Sequence, residues 1–136
     1  MSEQVDINDP QWDPYRNGGE LAKKLGIEFT ELTVERLVAT MPVEGNTQPA
    51  GLLHGGASVA LAETLGSIGA ALHAGPGRMV VGLDINATHH RAMTSGIVIG
   101  TATPLHLGRS TAVYEIIITS EAGKRVCTSR ITCLIR

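Results

Sequence analysis

The sequence predicts an α+β domain in which an antiparallel sheet wraps one long central helix. Three observations carry that reading. Four stretches in the second half, residues 81–88, 97–105, 111–119 and 126–135, alternate apolar and polar side chains or are rich in β-branched residues. A single stretch, 55–73, is too long for a strand, rich in alanine, and followed by the breaker Gly75-Pro76-Gly77. And 136 residues carry 16 glycines but only one Trp, two Tyr and one Phe, so the core is made of small and aliphatic side chains.

Taken in order, residues 1–20 read as a loose N-terminal arm, with Pro10 and Pro14 discouraging regular structure. Residues 19–25 fit a short helix that Gly26 ends. Residues 36–43 form the first clear strand, with Leu37, Ala39, Met41 and Val43 on one face at period two. A turn-rich connection, 44–50, leads to the long helix. Its small and apolar residues run nearly all round, as on a helix buried on most sides. Each internal glycine costs about 1 kcal/mol of helix propensity relative to alanine, a loss that close packing of backbone against a flat surface offsets. In the next strand Val81, Leu83, Ile85 and Ala87 alternate with polar or small residues, which predicts one half-buried face. Ser95-Gly96, Leu107-Gly108-Arg109 and residues 121–124 supply hairpin-length turns between the later strands. The whole length, 1–136, is expected to be one domain.

Composition narrows the function. A formal charge of −2 with no Lys/Arg run lacks the footprint of a nucleic-acid binder. Cys127 and Cys133 sit six residues apart on one strand, about 20 Å, too far for a disulfide. Their spacing does not fit a metal site either, and two unpaired cysteines suit a reducing cytoplasm. The polar, acidic N-terminus does not resemble a signal peptide. Residues 52–72 are long enough to span a membrane, but they contain glycines, His54 and Glu63 and lack flanking charges or aromatic belts, so no membrane partner is expected.

Glu63 is the residue that asks for an explanation. It is the only carboxylate between Ala50 and Gly77, with no Lys or Arg in that stretch to pair with it. It either points out through a gap, bonds nearby backbone, or faces a cavity where it acts. Ser67, at i+4, shares its helix face. His54 and Gly55-Gly56 lie at the helix start, where unpaired N–H groups and the positive dipole end gather, and Gln48 lies in the loop leading there. Glycine at a helix N-terminus lets a carbonyl oxygen approach backbone N–H, the geometry of an oxyanion hole, while a carboxylate can attack that carbonyl or activate water. Gly55 and Glu63, however, stand about 12 Å apart along the axis, too far to share one reacting atom. The spacing therefore predicts a homodimer in which the helix start of one chain meets Glu63 of another.

Other motifs fail. Gly66-Ser67-Ile68-Gly69 is not a serine elbow, and no Gly-rich nucleotide loop is present. His89-His90-Arg91 lacks a third metal ligand, so no metal is expected. It is either a solvated strand end or, with His106 and Arg109, a holder of phosphate groups. His73 reads as a helix-end residue with no task.

The run Gln48-Pro49-Ala50-Gly51-Leu52-Leu53-His54-Gly55-Gly56, followed by Ala62-Glu63-Thr64 and Gly66-Ser67, resembles the hot-dog-fold acyl-CoA thioesterases of the phenylacetic-acid and 4-hydroxybenzoyl-CoA type. The continuations Val80-Val81-Gly82-Leu83-Asp84-Ile85-Asn86-Ala87-Thr88-His89 and Pro104-Leu105-His106-Leu107-Gly108 are most similar to the branch hydrolysing 1,4-dihydroxy-2-naphthoyl-CoA in menaquinone synthesis. The likeness runs from about Leu25 to the C-terminus.

The resemblance implies Glu63 as nucleophile or general base and the Gly55 N–H as oxyanion donor. It implies that Gln48 and His54 orient thioester or water and that Ser67 holds the water or Glu63. Gly82 and Leu83 would line the pantetheine arm, and His89, Arg91, His106 and Arg109 would approach the nucleotide phosphates. It further implies shared sites in a homodimer, commonly a dimer of dimers, with coenzyme A as part of the substrate and no separate cofactor. Alternatives are a proofreading thioesterase acting on a mischarged aryl carrier protein and a non-catalytic acyl-CoA-binding module, for which a carboxylate at position 63 would be superfluous.

Overall fold

In the computed structural model, which describes residues 6, 8–13, 15 and 17–136, the long helix Gly55–Ala74 (α2) lies across a six-stranded antiparallel sheet. A short helix Glu20–Leu25 (α1) precedes strands Glu28–Leu32 (β1) and Leu37–Pro42 (β2). After α2 come Val80–His89 (β3), Ile97–Leu107 (β4), Thr111–Ser120 (β5) and Arg125–Ile135 (β6). The strand order is β1-β2-β4-β5-β6-β3, so β3 is an edge strand although it follows the helix directly. The hot-dog expectation is met: α2 packs on five strands, β2 to β6.

The helix is held by what it lacks. A Cβ on Gly66 would lie 2.3 Å from Ile131 Cγ2, and one on Gly69 would lie 2.6 Å from Tyr114 Cζ and 2.9 Å from Leu37 Cδ1. From the sheet side, a Cβ on Gly100 would come within 2.8 Å of Leu65 Cδ1. Helix and sheet thus touch through bare backbone, and Leu61, Leu65 and Ile68 fill the space between with Leu37, Met41, Val98, Ile116 and Ile118. Tyr114, fully buried, donates its hydroxyl to Val34 O at 2.6 Å, so its ring cannot retreat. Burial, with Glu35 and Cys133 adding to it, pushes that phenol's pKa well up. At 20 residues α2 has the length and hydropathy of a membrane span, yet most of it is buried against the sheet. Cys127 and Cys133 are both free and buried on the inner face of β6.

Three elements differ from expectation. Strand β1 has no clear alternation in its sequence; it is specified by pairing with β2, with the connection closed by Thr33 and Arg36. The N-terminal stretch read as a loose arm contains a 3-10 turn, Pro10–Trp12, started by Asp9, whose side chain accepts from the Gln11 N–H, and its Trp12 is buried in the core. In β3 the register shifts between Gly82 and Asp84, with Leu83 as the extra residue. This bulge reverses the phase of the first half of the strand. Val81 (45% exposed) and Leu83 (58%) face outward, Gly82 faces the helix, and only Ile85 and Ala87 keep their expected place. Asn46, by contrast, ties the end of α1 to the end of β2, its amide donating to Leu25 O at 2.7 Å and Pro42 O at 2.8 Å.

Gly69→Ala tests the bare contact. Helix propensity favours the alanine by about 1 kcal/mol, whereas overpacking against an anchored ring costs about 1–3 kcal/mol. Urea unfolding is expected to show a net loss of up to about 2 kcal/mol, read from the midpoint at unchanged slope.

Candidate active site

The start of α2 is built by a tightly bonded loop. Gln48 N–H donates to Leu52 O and Gly51 N–H to Gln48 O, while Gln48 Oε1 accepts from the Ala50 N–H. That leaves the Gln48 amide NH₂ as its outward donor. His54 N–H is held by Asn46 O, and Leu53 N–H by Met93 O. His54 itself is the N-cap, and its Nδ1 accepts from the Gly56 N–H at 2.7 Å. An accepting Nδ1 places the imidazole proton on Nε2, which points the ring's donor away from the helix. Gly55, the first helical residue, has an N–H with no intrahelical acceptor. A Cβ there would lie 2.8 Å from His89 Nε2, so glycine is what lets that imidazole stand at the helix start. Gln48, Leu52, Gly55, Ser58, His89 and Arg91 line one cavity of about 370 Å³.

Glu63 and Ser67 line a different cavity, of about 330 Å³, two turns further along. Glu63 is exposed in the single chain, and its Oε2 lies 3.1 Å from where a Cβ on Gly82 would be. The β3 bulge therefore serves the carboxylate: it turns the residue without a side chain toward it. Below lies the Cys133 thiol, beside Ser67. Burial pushes that thiol's pKa up and the negative charge of Glu63 adds to the rise, while the neighbouring Ser67 hydroxyl opposes it. Thr64 turns back to bond Ala60 O at 2.6 Å and offers the cavity its methyl group.

The sequence-predicted residues thus fall into two groups within one chain. Gln48, His54, Gly55, His89 and Arg91 gather at the start of α2, and Glu63, Ser67 and Gly82 at its middle, about 12 Å away along the axis. Leu83 stands on the outer side of the bulge. The basic residues expected together are split. His106 and Arg109 lie at the other end of the sheet, near the end of α2. There His73, expected to be idle, bonds Gly108 O through Nε2 at 2.7 Å. His90 bonds Thr128 Oγ1 and also lines the first cavity. Among the described residues, no three His, Cys, Asp or Glu side chains converge as metal ligands.

Cys133 was the residue missed. In sequence it is a small apolar position on a strand, and only the pairing of Gly82 with Cys133 across β3 and β6 brings it behind Glu63. Tyr15 and Leu21, which complete the Glu63 cavity, also carry no local signal.

Residues 50–127 match the thioesterase superfamily. The chain belongs to that family. It is 53% identical over 118 residues to the proofreading thioesterase EntH of Cronobacter turicensis, covering 86% of each protein. Among solved structures, a thioesterase from Haemophilus influenzae is 46% identical with a TM-score of 0.83, over 87% of this chain and 83% of that one. A glutamine-to-alanine mutant of a Pseudomonas aeruginosa thioesterase is 38% identical with a TM-score of 0.87, over 98% of both. The chain is therefore a hot-dog thioesterase, a hydrolase of thioesters, and its motif residues from Ala50 onward lie within the matched span.

In this thioesterase both thiols are buried, with pKa values raised by desolvation. Ellman's reagent at pH 8 should therefore find no fast-reacting cysteine in the native protein and two after denaturation.

Proposed function

We propose that this thioesterase hydrolyses aryl and acyl thioesters of a phosphopantetheine arm, at sites completed by a second copy of the chain. The observation carrying the reading is the placement of two incomplete half-sites on one helix. Gly55 offers an N–H with His54 and Gln48 beside it, and Glu63 with Ser67 offers a carboxylate and a hydroxyl.

Edge strand β3 supplies the means of completion. One side of it has no neighbouring strand, and Val81 and Leu83 are exposed on it. Antiparallel pairing of β3 with its own copy sets the Val80 end of each chain against the His89 end of the other. Glu63 then faces Gly55 of the partner subunit, and His106 and Arg109 come to the side of the cavity that holds His89 and Arg91 of the partner subunit. Two such dimers would associate further as a dimer of dimers.

In the reaction the thioester carbonyl oxygen accepts from the Gly55 N–H, which stabilises the oxyanion as the tetrahedral centre forms. Glu63 either attacks the carbonyl carbon, giving an anhydride that water then opens, or takes the proton of an attacking water held by Ser67. The C–S bond breaks, the thiol takes up a proton, and the acyl group leaves as a carboxylic acid. No cofactor enters the scheme.

Two substrates share that chemistry. The motif likeness favours an aromatic acyl-CoA, with 1,4-dihydroxy-2-naphthoyl-CoA as its narrowest form. The 53% likeness to a protein named proofreading thioesterase favours an aryl group mischarged on a carrier protein. A thiol-release assay across aryl-CoA, short- and long-chain acyl-CoA and aryl-carrier protein separates them by kcat/KM; a profile indifferent to aromaticity overturns the aryl assignment.

Glu63→Gln should lower kcat by about 10²–10⁴-fold while the oligomer, read by size-exclusion with light scattering, persists; turnover at the wild-type rate refutes the mechanism. Leu83→Asp places a charge on the pairing edge and should give folded monomers without activity. An active monomer would refute the shared site.

A further inference from the structure

The cavity holding Glu63 has a second wall, and that wall lies outside the span 50–127 that matches the family. It is made by Tyr15, Gly18 and Leu21, which lie opposite Ala60, Thr64 and Ile68 of α2.

This wall is fixed in place. Trp12 is buried in the core, Tyr15 N–H donates to Trp12 O at 2.8 Å, and the two rings pack at 6.1 Å. Gly18 N–H in turn donates to Tyr15 O. Gly18 has φ +73°, a backbone shape that favours glycine, and a Cβ on it would meet Phe29 Cζ and Ala22 Cβ at 2.8 Å and Thr64 Cγ2 at 3.0 Å. The segment is therefore seated on α2 at the residue next to Glu63. One side of the cavity is polar, with the Glu63 carboxylate and the Ser67 hydroxyl, while Tyr15, Leu21, Ala60 and Ile68 make the remainder apolar. Its volume, about 330 Å³, is at the small end of ligand pockets, room for one compact group rather than a whole nucleotide carrier.

Leu21 has a further property. It is 61% exposed although α1 buries Ala22 beside it, and it also lines a neighbouring cavity of about 320 Å³, whose apolar part is Leu25, Ala57 and Ala60 and whose polar part is Asn46, Thr47 and His54. Leu21 and Ala60 are common to both cavities, so the two adjoin at these residues.

We propose that the acyl group of the thioester lies between α2 and the N-terminal segment, with Tyr15 covering it and Leu21 closing the far end and so limiting its length. The inference rests on the hydrolase reading of Glu63, because the carboxylate fixes which end of the cavity holds the reacting carbon. From there a flat ring reaches the Tyr15 face, whereas a long chain meets Leu21.

The test separates this subsite from the chemistry. Two uncleavable thioether ketones, phenacyl-CoA and its undecan-2-onyl counterpart, are titrated calorimetrically into wild type, Leu21→Ala and Tyr15→Ala. The same variants are assayed for kcat/KM on benzoyl-CoA and decanoyl-CoA. Leu21→Ala should shift both the affinity ratio and the kcat/KM ratio toward the long chain by about tenfold, as the second cavity opens. Tyr15→Ala should weaken phenacyl-CoA several-fold and raise KM for benzoyl-CoA with kcat nearly kept. Unchanged ratios in folded Leu21→Ala, checked by melting temperature, overturn the subsite, as does failure of phenacyl-CoA to bind wild type. Full turnover in Glu63→Gln beside shifted affinity ratios would instead overturn the mechanism and leave the subsite standing.

Discussion

The approach of α2 to the sheet without intervening side chains is the constraint on which the rest depends. At Gly66, Gly69 and Gly100 there is no volume for even a methyl group, so the helix can neither rotate nor slide without opening contacts that dispersion and burial hold closed. A helix with ordinary side chains at these points would ride higher and accept several orientations. Here only one orientation fits. It aims Glu63 at β3 and sets Ser67 over Cys133. Among the described residues Tyr114 is the only aromatic that is fully buried, and its ring carbons Cζ and Cε1 come up against Gly69.

From that fixed helix the two half-sites take different support. The first depends on hydrogen bonds: Asn46 holds His54, His54 holds Gly56, and the turn around Gln48 closes on itself. The second depends on sterics: the bulge at Leu83 presents Gly82, and the empty space over Gly82 is where the carboxylate lies. A regular strand would have aimed Leu83 inward as the alternation predicts, leaving the carboxylate no room beside the strand and the outer edge of β3 less apolar. One irregularity therefore shapes both the site and the edge at which chains would meet.

The fold was largely legible in the sequence. The helix and later strands are long, periodic segments bounded by glycine turns, and the two groups, Gln48 with His54 and Gly55, and Glu63 with Ser67, are each local enough to be read from spacing. What escaped is what pairing decides. Strand β1 has no pattern of its own, and the bulge in β3 is invisible in an alternation that looks perfect. The adjacency of Cys133 to Ser67 exists only because β6 lies beneath the helix. The basic residues illustrate the same limit: His89 and His106 look equivalent in sequence, but antiparallel strands carry them to opposite ends. The N-terminal residues were the least legible, since Trp12 and Gly18 gain their meaning from the surfaces they press against.

Residues 50–127 carry the matched span together with Gly55, Glu63, Ser67 and Gly82, whereas Tyr15, Gly18 and Leu21 come from a separate stretch joined to it through β1 and β2. Substitution at an exposed side chain such as Leu21 leaves the glycine contacts of α2 untouched, so its cost in stability is small. A change at Tyr15 or Leu21 can therefore alter the lining of the cavity without disturbing the helix that holds Glu63. Under the proposed reading, a fold arranged in this way can change the acyl group it takes through nearly neutral substitutions on one wall, while the glycine contacts behind Glu63 stay under a much tighter physical constraint.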